Sequence, residues 1–474
     1  MRRRPPPDGK KRRAARQARP TRCGVAFREN TMAMTRRDFL KGGIMTAGVC
    51  TGSSLLPGRA ASGREISPFP AHAPCGTGVG VFPGRVVWTR DPSAVRWDGQ
   101  GYWWQPEHFS ESAVLAMVRS GIAALAGTSD AVAGWQTLFR HHNESRGRSG
   151  GCAPGQRLAV KANMNGAGAY SDDPHGRTHE SYTSPVLLRA LLLSLIEDAG
   201  VAPQDITVYD AGRVIPEYMR RMCSSGPLTG VLFRHRDPNG PLDALPDRHC
   251  PVRWSRDIAG AVNYLPACVT EATYLINLAS LKGHCYGMTL CGKNHFGSIL
   301  NADRMRAPQA AGLHALVSSS RMGDYAVLAD LTANRHLGGK TMLCMLDGLI
   351  TAPGESVNIT REKALWRQPP FNGNFCSSLF FSQDPVAIDS VGADFLVNEP
   401  VMREHNALLR HYRGMENYLH EAALIASPPS GTIYRDGFGG VVSNLGVHEH
   451  WNNPEEKLYS RNLGGKEGIE LVRA

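Results

Sequence analysis

No two cysteines of the chain have the spacing C-x-x-C. Zinc ribbons, thioredoxin-type redox sites and ferredoxin-type iron–sulfur motifs depend on cysteines placed this closely, so the sequence excludes these three kinds of site. Nine cysteines follow residue 64, an odd number, and most of them lie in apolar stretches such as TMLCML around Cys344, where a small buried thiol is expected. They do not indicate a disulfide framework.

Nucleotide-binding motifs are missing as well. HLGGK at 336–340 has a glycine pair before Lys340 but not the spacing of a phosphate-binding loop. GTGVGVFPG at 76–84 is rich in glycine but does not have the spacing of a dinucleotide fingerprint. The sequence therefore gives no support for a nucleotide cofactor.

An excess of basic residues is confined to the start of the chain. Residues 1–64 hold 16 of the 53 lysines and arginines but only three of the 42 acidic residues, which leaves 37 basic and 39 acidic residues from residue 65 onward. The formal charge of +11 therefore comes from this leader. We expect no nucleic-acid binding by the globular part of the chain.

The leader contains the elements of a twin-arginine export signal. TRRDFLKGG places Arg36 and Arg37 before a weakly apolar stretch, which is followed by small residues where a signal peptidase can cut. That stretch is too short and too rich in Gly and Thr for a stable membrane span. We predict a disordered basic leader and signal peptide over residues 1–64, export by the twin-arginine translocase, and a periplasmic or extracellular mature protein. The start codon stays open between Met1, Met32 and Met34.

The clearest structural unit lies between residues 157 and 210. RLAVKANM predicts a buried strand, SPVLLRALLLSLIEDAG predicts a helix with Ser184 at its cap and Gly200 past its end, and DITVYD predicts the next strand. A strand, a helix and a strand in this order form a parallel pair. Two amphipathic helices precede this unit, the first with Ser110 at its cap and Gly127 as its stop.

The pattern continues through further short apolar runs. These runs are TYLINLASL, YAVLADL, TMLCMLDGL and SSLFFSQD, the last of which leads into a helical pattern. We therefore predict an α/β fold with a mostly parallel, doubly wound sheet, helices on both faces, and irregular N- and C-terminal additions. No linker divides residues 65–474, so we predict a single domain there.

Polar residues follow several of the predicted strands. Lys161 and Asn163 end the first strand, Asp210 ends the second, and Asp384 follows the last. In an open parallel sheet, ligands bind outside the carboxyl ends of the strands, so these residues are candidates for one shared pocket. An aspartate after a strand is equally suited to cap the next helix or turn.

The stretch LKGHCYGMTLCGKNHFGS, residues 281–298, is the strongest candidate for a binding site. Lys282 and Lys293, with backbone amides beside four glycines, suit an anion such as a carboxylate, a phosphate or an enolate-like intermediate. His284 is suited to proton transfer near neutral pH. Cys285 and Cys291 do not have a standard metal-ligand spacing, which makes a metal site the less favoured interpretation. A purely structural role for this stretch is a further alternative.

A second candidate is GVHEHW, residues 446–451. On a strand, His448 and His450 would point to the same face, a spacing that can chelate a transition metal. The same spacing also occurs in ordinary surface strands, so these histidines are weak metal candidates.

Several of these motifs together resemble the family named domain of unknown function 362, in its exported, twin-arginine branch. The resemblance runs from about Arg85 to the end of the chain and is carried by VKANMN, VYDAGR, LKGHCYGMTLCGKNHFG, SLFFSQDPVAIDSVGADFL and LGVHEHWNNPEEKLYSRNLGGKEGIELV. It implies no particular reaction, because the family has no general established one. The iron–sulfur label given to some relatives does not apply here, because their cysteine run is missing. The positions that match the family's polar motifs are Lys161, Asn163, Lys282, His284, Lys293, Asn294, Asp384 and Asp389.

We expect an exported α/β enzyme that binds a small anionic ligand and transfers protons; its cofactor stays open. The candidate catalytic residues are Lys282, His284 and Asp384, and the candidate ligand-binding residues are Lys161, Asn163, Asp210, Lys293, Asn294 and Asp389. Two alternatives stay open. One is a non-catalytic periplasmic ligand-binding or accessory protein that uses the same crevice, and the other is a metal-containing redox protein.

Replacing both Arg36 and Arg37 with Lys should leave the precursor in the cytoplasm, because the translocase recognises the arginine pair. The measurement is the distribution of the protein between cytoplasmic and periplasmic fractions. Undiminished recovery from the periplasm would reject the export prediction.

Overall fold

The structure is a computed structural model that describes residues 69–165, 178–258, 262–284, 287–301, 313–318, 321–406 and 412–474. The predicted leader with Arg36 and Arg37, and the alternative start residues Met1, Met32 and Met34, lie outside the described residues, as does Cys285. The described residues all fall within one unit, Glu65–Ala474.

Twelve α-helices occur in the described part of the chain. They are α1 (Glu111–Ala126), α2 (Ala131–Glu144), α3 (Pro185–Glu197), α4 (Glu217–Met222), α5 (Ala267–Thr270), α6 (Cys291–Asn294), α7 (Leu313–Ser318), α8 (Val327–Ala333), α9 (Arg361–Ala364), α10 (Pro385–Asn398), α11 (Pro400–His405) and α12 (Tyr412–Ala423).

The same residues contain seventeen strands. They are β1 (Cys75–Gly76), β2 (Arg85–Arg90), β3 (Leu158–Ala162), β4 (Ile206–Asp210), β5 (Leu232–His235), β6 (Pro246–Pro251), β7 (Asn263–Pro266), β8 (Tyr274–Ser280), β9 (Lys282–His284), β10 (Gly287–Thr289), β11 (Leu300–Asn301), β12 (Thr341–Gly348), β13 (Leu365–Trp366), β14 (Asn374–Phe375), β15 (Ser378–Ser382), β16 (Val447–His448) and β17 (Glu470–Arg473).

A central sheet of eight strands has the order β17-β2-β15-β12-β8-β3-β4-β5. Only β15 is antiparallel to its neighbours, so seven of the eight strands run in one direction. This confirms the predicted α/β fold and its mostly parallel sheet. From β3 the chain proceeds outward to β4 and β5, and it then returns to the other side of β3 to form β8 and β12. The strand order therefore changes direction between β3 and β8, the place where open α/β sheets bind ligands.

Alternating side chains of the central strands enter two different apolar clusters. In β8, Ile276 and Leu278 belong to the cluster that also contains residues of α1, α2 and α3. Leu275 and Ala279 belong to the cluster that contains residues of α8, α10 and α12. All seven residues of β8 are buried, as expected for a strand covered on both faces.

The local signals for the first helices are confirmed. Helix α1 begins after Ser110, whose Oγ accepts a hydrogen bond from the backbone N–H of Ala113, and it ends at Gly127 in the left-handed conformation (φ 67°). The predicted strand, helix and strand correspond to β3, α3 and β4, and β3 and β4 pair in parallel.

One predicted strand is a helix. YAVLADL was expected to continue the strand pattern, but its residues from Val327 onward form α8. All seven residues of α8 are buried, and a short apolar run that is buried on every side has no periodicity to distinguish a helix from a strand. Asp330, which belongs to this run, therefore lies on a helix, and its carboxylate accepts a hydrogen bond from the backbone N–H of Ser255 at 2.7 Å.

The segments before α1 and after α12 are largely irregular, as predicted, but each contributes a strand to the central sheet. Strand β2 lies between β17 and β15, and β17 pairs with β2 in parallel. Within the described residues, no single helix has the length and apolar composition to cross a membrane; α1 and α2 taken together, with a 49° bend between them, satisfy both criteria.

Candidate functional site

Buried polar side chains meet at the carboxyl ends of β3, β4 and β8, next to the point where the strand order changes direction. Lys161 and Lys282 are fully buried, and Asp210 is 2% exposed. Buried charges of this kind require partners, and the partners show what each residue does.

Lys161 forms the centre of this group. Its Nζ donates to the Asp210 carboxylate (3.0 Å), to the Asn294 side-chain oxygen (3.1 Å) and to the backbone oxygen of Ala162 (2.6 Å). These three acceptors use all three N–H donors of the ammonium group. Burial lowers the pKa of Lys161, and the charge of Asp210 opposes this shift. Lys161 therefore ties β3 to β4 and α6, and it has no donor left for a ligand.

Two asparagines extend the network from Lys161 to β8. The Asn163 side chain donates to Asn294 Oδ1 at 3.1 Å and accepts from the Ser280 hydroxyl at 3.3 Å. The Asn294 amide in turn donates to Asn277 Oδ1 at 2.8 Å. The predicted ligand-binding residues Asn163 and Asn294 are thus brought together with Lys161, and their contacts fix the position of α6.

Asp389 of α10 holds α6 from the other side. Its carboxylate accepts the backbone N–H groups of Cys291 and Gly292, both at 2.8 Å, and the Tyr418 hydroxyl at 3.3 Å. Burial raises the pKa of Asp389 to about 7, and these hydrogen bonds oppose the rise. Gly292 is required because a Cβ would lie 2.6 Å from the Tyr418 hydroxyl oxygen. Asp389 therefore positions the short helix that carries Lys293.

Lys282 lies on β9, directly after β8. Its Nζ donates to the backbone oxygen of Asn165 at 2.8 Å and to that of Ser181. Burial lowers its pKa to about 7, although the charge of Glu355 opposes the shift. Lys282 thus has a protonation equilibrium at neutral pH, a property suited to a general acid or base.

Lys282 and His284 share β9, and three cationic or titratable groups from other segments act on His284. Together the five residues form what we call the basic pocket: Arg213, Lys282, His284, Lys293 and His314. Burial lowers the pKa of His284 well below its usual value, and the charges of Lys293, His314, Lys282 and Arg213 add to this effect. The rings of His284 and His314 are stacked with their centroids 6.1 Å apart. The Lys293 Nζ lies 4.0 Å from the centroid of the Phe296 ring.

The basic pocket also faces acidic groups. The His284 Nδ1 lies 3.8 Å from the Glu355 carboxylate, and both Glu355 and Glu180 influence the pKa of Lys282. Sequence reasoning did not find Arg213, His314 or Glu355. Arg213 follows Asp210 at the end of β4, so the rule that located Asp210 also indicates it. His314 has no such signal, because it lies on α7, and Glu355 lies in the loop after β12 but too far from the end of that strand for the rule to single it out.

A comparison with protein-family profiles matches residues 159–394 to the family described as "Domain of unknown function (DUF362)". These residues belong to that domain family. The DUF362 domain so defined contains β4, β8, β12, all of β3 except its first residue, and every residue of the basic pocket. Neither curated proteins nor solved structures gave a match.

Asp384 belongs to the DUF362 domain but does not lie with the lysines. It follows β15, the one antiparallel strand, so it lies at the amino-terminal end of the parallel strands, opposite the basic pocket. Its carboxylate accepts the backbone N–H groups of Val79, Val386, Ala387 and Val447 at 2.8–3.2 Å. This is the contact pattern of a helix cap that also ties two loops together.

His448 and His450 lie outside the DUF362 match. As the alternation of a strand predicts, both rings approach one group, the Glu416 carboxylate of α12, with N···O distances of 3.4 Å and 3.0 Å. The basic pocket shares no residue with this cluster.

We predict that Asp384→Ala lowers the free energy of unfolding by on the order of 3 kcal/mol, because four buried backbone donors lose their acceptor. Asp130→Ala, which removes the exposed cap of α2, is the matched control and should have a smaller effect. Urea denaturation at pH 7 measures both. A fully stable Asp384→Ala variant would contradict the structural role.

Proposed function

We propose that the protein binds a small anionic ligand at the carboxyl edge of its DUF362 domain and that Lys282 transfers a proton to or from that ligand. The observation that carries this proposal is the basic pocket, in which four basic side chains accompany a buried lysine, Lys282, whose burial lowers its pKa to about 7.

The cationic side chains of the basic pocket are suited to binding an anion. Lys161 and Asp210 form a buried ion pair and cancel each other. Arg213, Lys282 and Lys293 all act on His284, and the carboxylates that act on Lys282 are those of Glu355, Glu180 and Asp347. A small anion beside His284 would interact favourably with the three cations. Carboxylate and phosphate groups both match this chemistry.

Lys282 is the proposed proton-transfer group. The described residues give its Nζ two acceptors, so one of its three donors is available to a ligand. A pKa near the working pH allows the same amine to accept a proton in one step and to donate it in the next. Burial lowers the pKa of His284, so its imidazole is neutral in the ligand-free protein, and a bound anion would raise that pKa.

A non-catalytic binding protein would use the same basic pocket without proton transfer. The two functions differ in whether a bound carbon acid exchanges hydrogen for deuterium in D2O in a manner that depends on Lys282. We further propose that this chemistry takes place outside the cytoplasm; the support is the twin-arginine signal in the sequence of the leader.

We predict that malonate and inorganic phosphate stabilise the protein against thermal unfolding and that Lys282→Met and Lys293→Met each weaken this binding at least tenfold. The control is Lys457→Met, because Lys457 is also buried and its Nζ also donates to two backbone oxygens, but it lies outside the basic pocket. The measurement is the shift in melting temperature with ligand concentration. The proposal fails if the Lys282 and Lys293 variants respond like the control.

Binding should also depend on pH. A bound anion stabilises the charged form of Lys282 and so raises its pKa. Above about pH 7 the free protein must therefore take up a proton when the anion binds. The affinity for the anion falls by up to about tenfold for each pH unit above that value. Sulfate, whose charge is constant between pH 6 and 9, is the appropriate probe. Calorimetry in two buffers of different ionisation enthalpy measures the proton uptake, and Lys282→Arg should abolish it. A pH-independent affinity would exclude Lys282 as the titrating group.

A further inference from the structure

A second cluster of chemically active side chains lies between α10, α12, β16 and the segment that precedes β1. Its members are His72, Glu416, His448 and His450, and one ligand atom of each residue lies within 4.8 Å of those of the other three. His448 and His450 are fully or almost fully buried, whereas His72 and Glu416 are partly exposed. The contacts of each imidazole ring indicate which of its two nitrogens carries a proton.

The contacts of the His448 ring fit a proton on Nδ1. This atom lies 2.8 Å from the Ser390 hydroxyl oxygen, and that hydroxyl donates its only hydrogen to the backbone oxygen of Val386. Ser390 therefore accepts, and the imidazole donates. The lone pair of His448 is left on Nε2, which faces the Glu416 carboxylate at 3.4 Å.

The His450 ring also has a proton on Nδ1. Its Nδ1 lies 2.7 Å from the Asp394 carboxylate, which also accepts the Tyr459 hydroxyl and the Trp451 backbone N–H. A carboxylate can only accept, so Nδ1 carries a proton. The opposite nitrogen, Nε2, lies 3.0 Å from the second oxygen of Glu416.

His72 completes the pattern. Its Nδ1 lies 2.7 Å from the backbone oxygen of Ala73, which is an acceptor, so Nδ1 carries the proton here as well. Its Nε2 is buried and has no hydrogen-bond partner among the described residues. The His72 ring lies 4.9 Å from the His448 ring and 5.1 Å from the His450 ring, measured between centroids.

The Nε2 atoms of three imidazoles and one carboxylate therefore face one another. A proton between His450 and Glu416 would satisfy that pair only, and it would leave the Nε2 atoms of His72 and His448 without a partner. We propose that His72, Glu416, His448 and His450 together bind one divalent first-row transition-metal ion, through the three Nε2 atoms and the carboxylate. One cation at the centre satisfies all four groups.

The surroundings resemble those of protein metal sites. Metal-binding imidazoles usually donate their other N–H to a carboxylate or another fixed acceptor, as His450 does to Asp394 and His448 does to Ser390. His420 lies one turn after Glu416, and its Nδ1 is 3.3 Å from the Glu416 carboxylate. The Phe69 ring stacks on the His450 ring with centroids 4.4 Å apart and excludes water from that side.

The donor set selects the class of metal. Three imidazole nitrogens and one carboxylate suit zinc, iron, nickel, copper or cobalt, whereas calcium and magnesium prefer oxygen ligands alone. No thiolate belongs to the proposed set, so thiolate-selective Cu(I) is not the expected ion.

The test uses the full chain, stripped with a chelator and then titrated with Co2+ and Zn2+. We expect one equivalent of metal per chain by elemental analysis and a visible Co2+ spectrum without a thiolate charge-transfer band. Glu416→Gln and His72→Ala should each weaken Co2+ binding at least tenfold, and Asp394→Asn should weaken it 10- to 100-fold through the orientation of His450. The control is His249→Ala, which removes an exposed histidine of β6.

Circular dichroism shows whether each variant is folded. Because His72 lies in an irregular segment, the His72→Ala substitution changes no residue of a helix. Failure of the wild-type chain to bind Co2+ and Zn2+ would overturn the proposal and favour the shared-proton arrangement. Equal affinity of the wild type, Glu416→Gln and His72→Ala would also overturn it. Neither result affects the basic pocket, whose ligands are anions.

Discussion

The buried ion pair between Lys161 and Asp210 is the constraint on which the arrangement of the sheet edge depends. A charged amine in the interior is strongly destabilising unless every donor has an acceptor, and Lys161 meets this condition only when β3, β4 and α6 are all in place. Gly297 shows how closely the chain packs here, because a Cβ at this position would lie 2.7 Å from the Lys161 Nζ. The same pair that stabilises this edge therefore fixes the geometry of the adjoining basic pocket.

Helix α10 connects both sites described in this protein. Asp389 holds the helix that carries Lys293, whereas Ser390 and Asp394 orient the rings of His448 and His450. Consecutive residues of a helix point in directions about 100° apart, so Asp389 and Ser390 support different neighbours. One rigid, almost entirely buried element thus sets the positions of the groups in two chemically distinct sites.

The sequence was sufficient to predict the parts of the fold that have local signals. Capping residues and an apolar run of helical length located α1 and α3, and the rule for strand ends brought Lys161, Asn163 and Asp210 together. The same rule misplaced Asp384 because it assumes a parallel strand, and the antiparallel direction of β15 follows from pairing with distant strands. Glu416 and His72 were missed because their proximity to His448 arises only from tertiary packing, and α8 was missed because complete burial removes periodicity.

The pairing of β2 with β17 has a consequence for biosynthesis. Residues 85–90 must remain without this neighbour until residues 470–473 have left the ribosome, because the two strands are adjacent in the finished sheet. Contacts between such distant segments form slowly and leave apolar strand edges exposed in the meantime. The edge of β2 that pairs with β17 therefore stays open to other strands while the segments between them are synthesised.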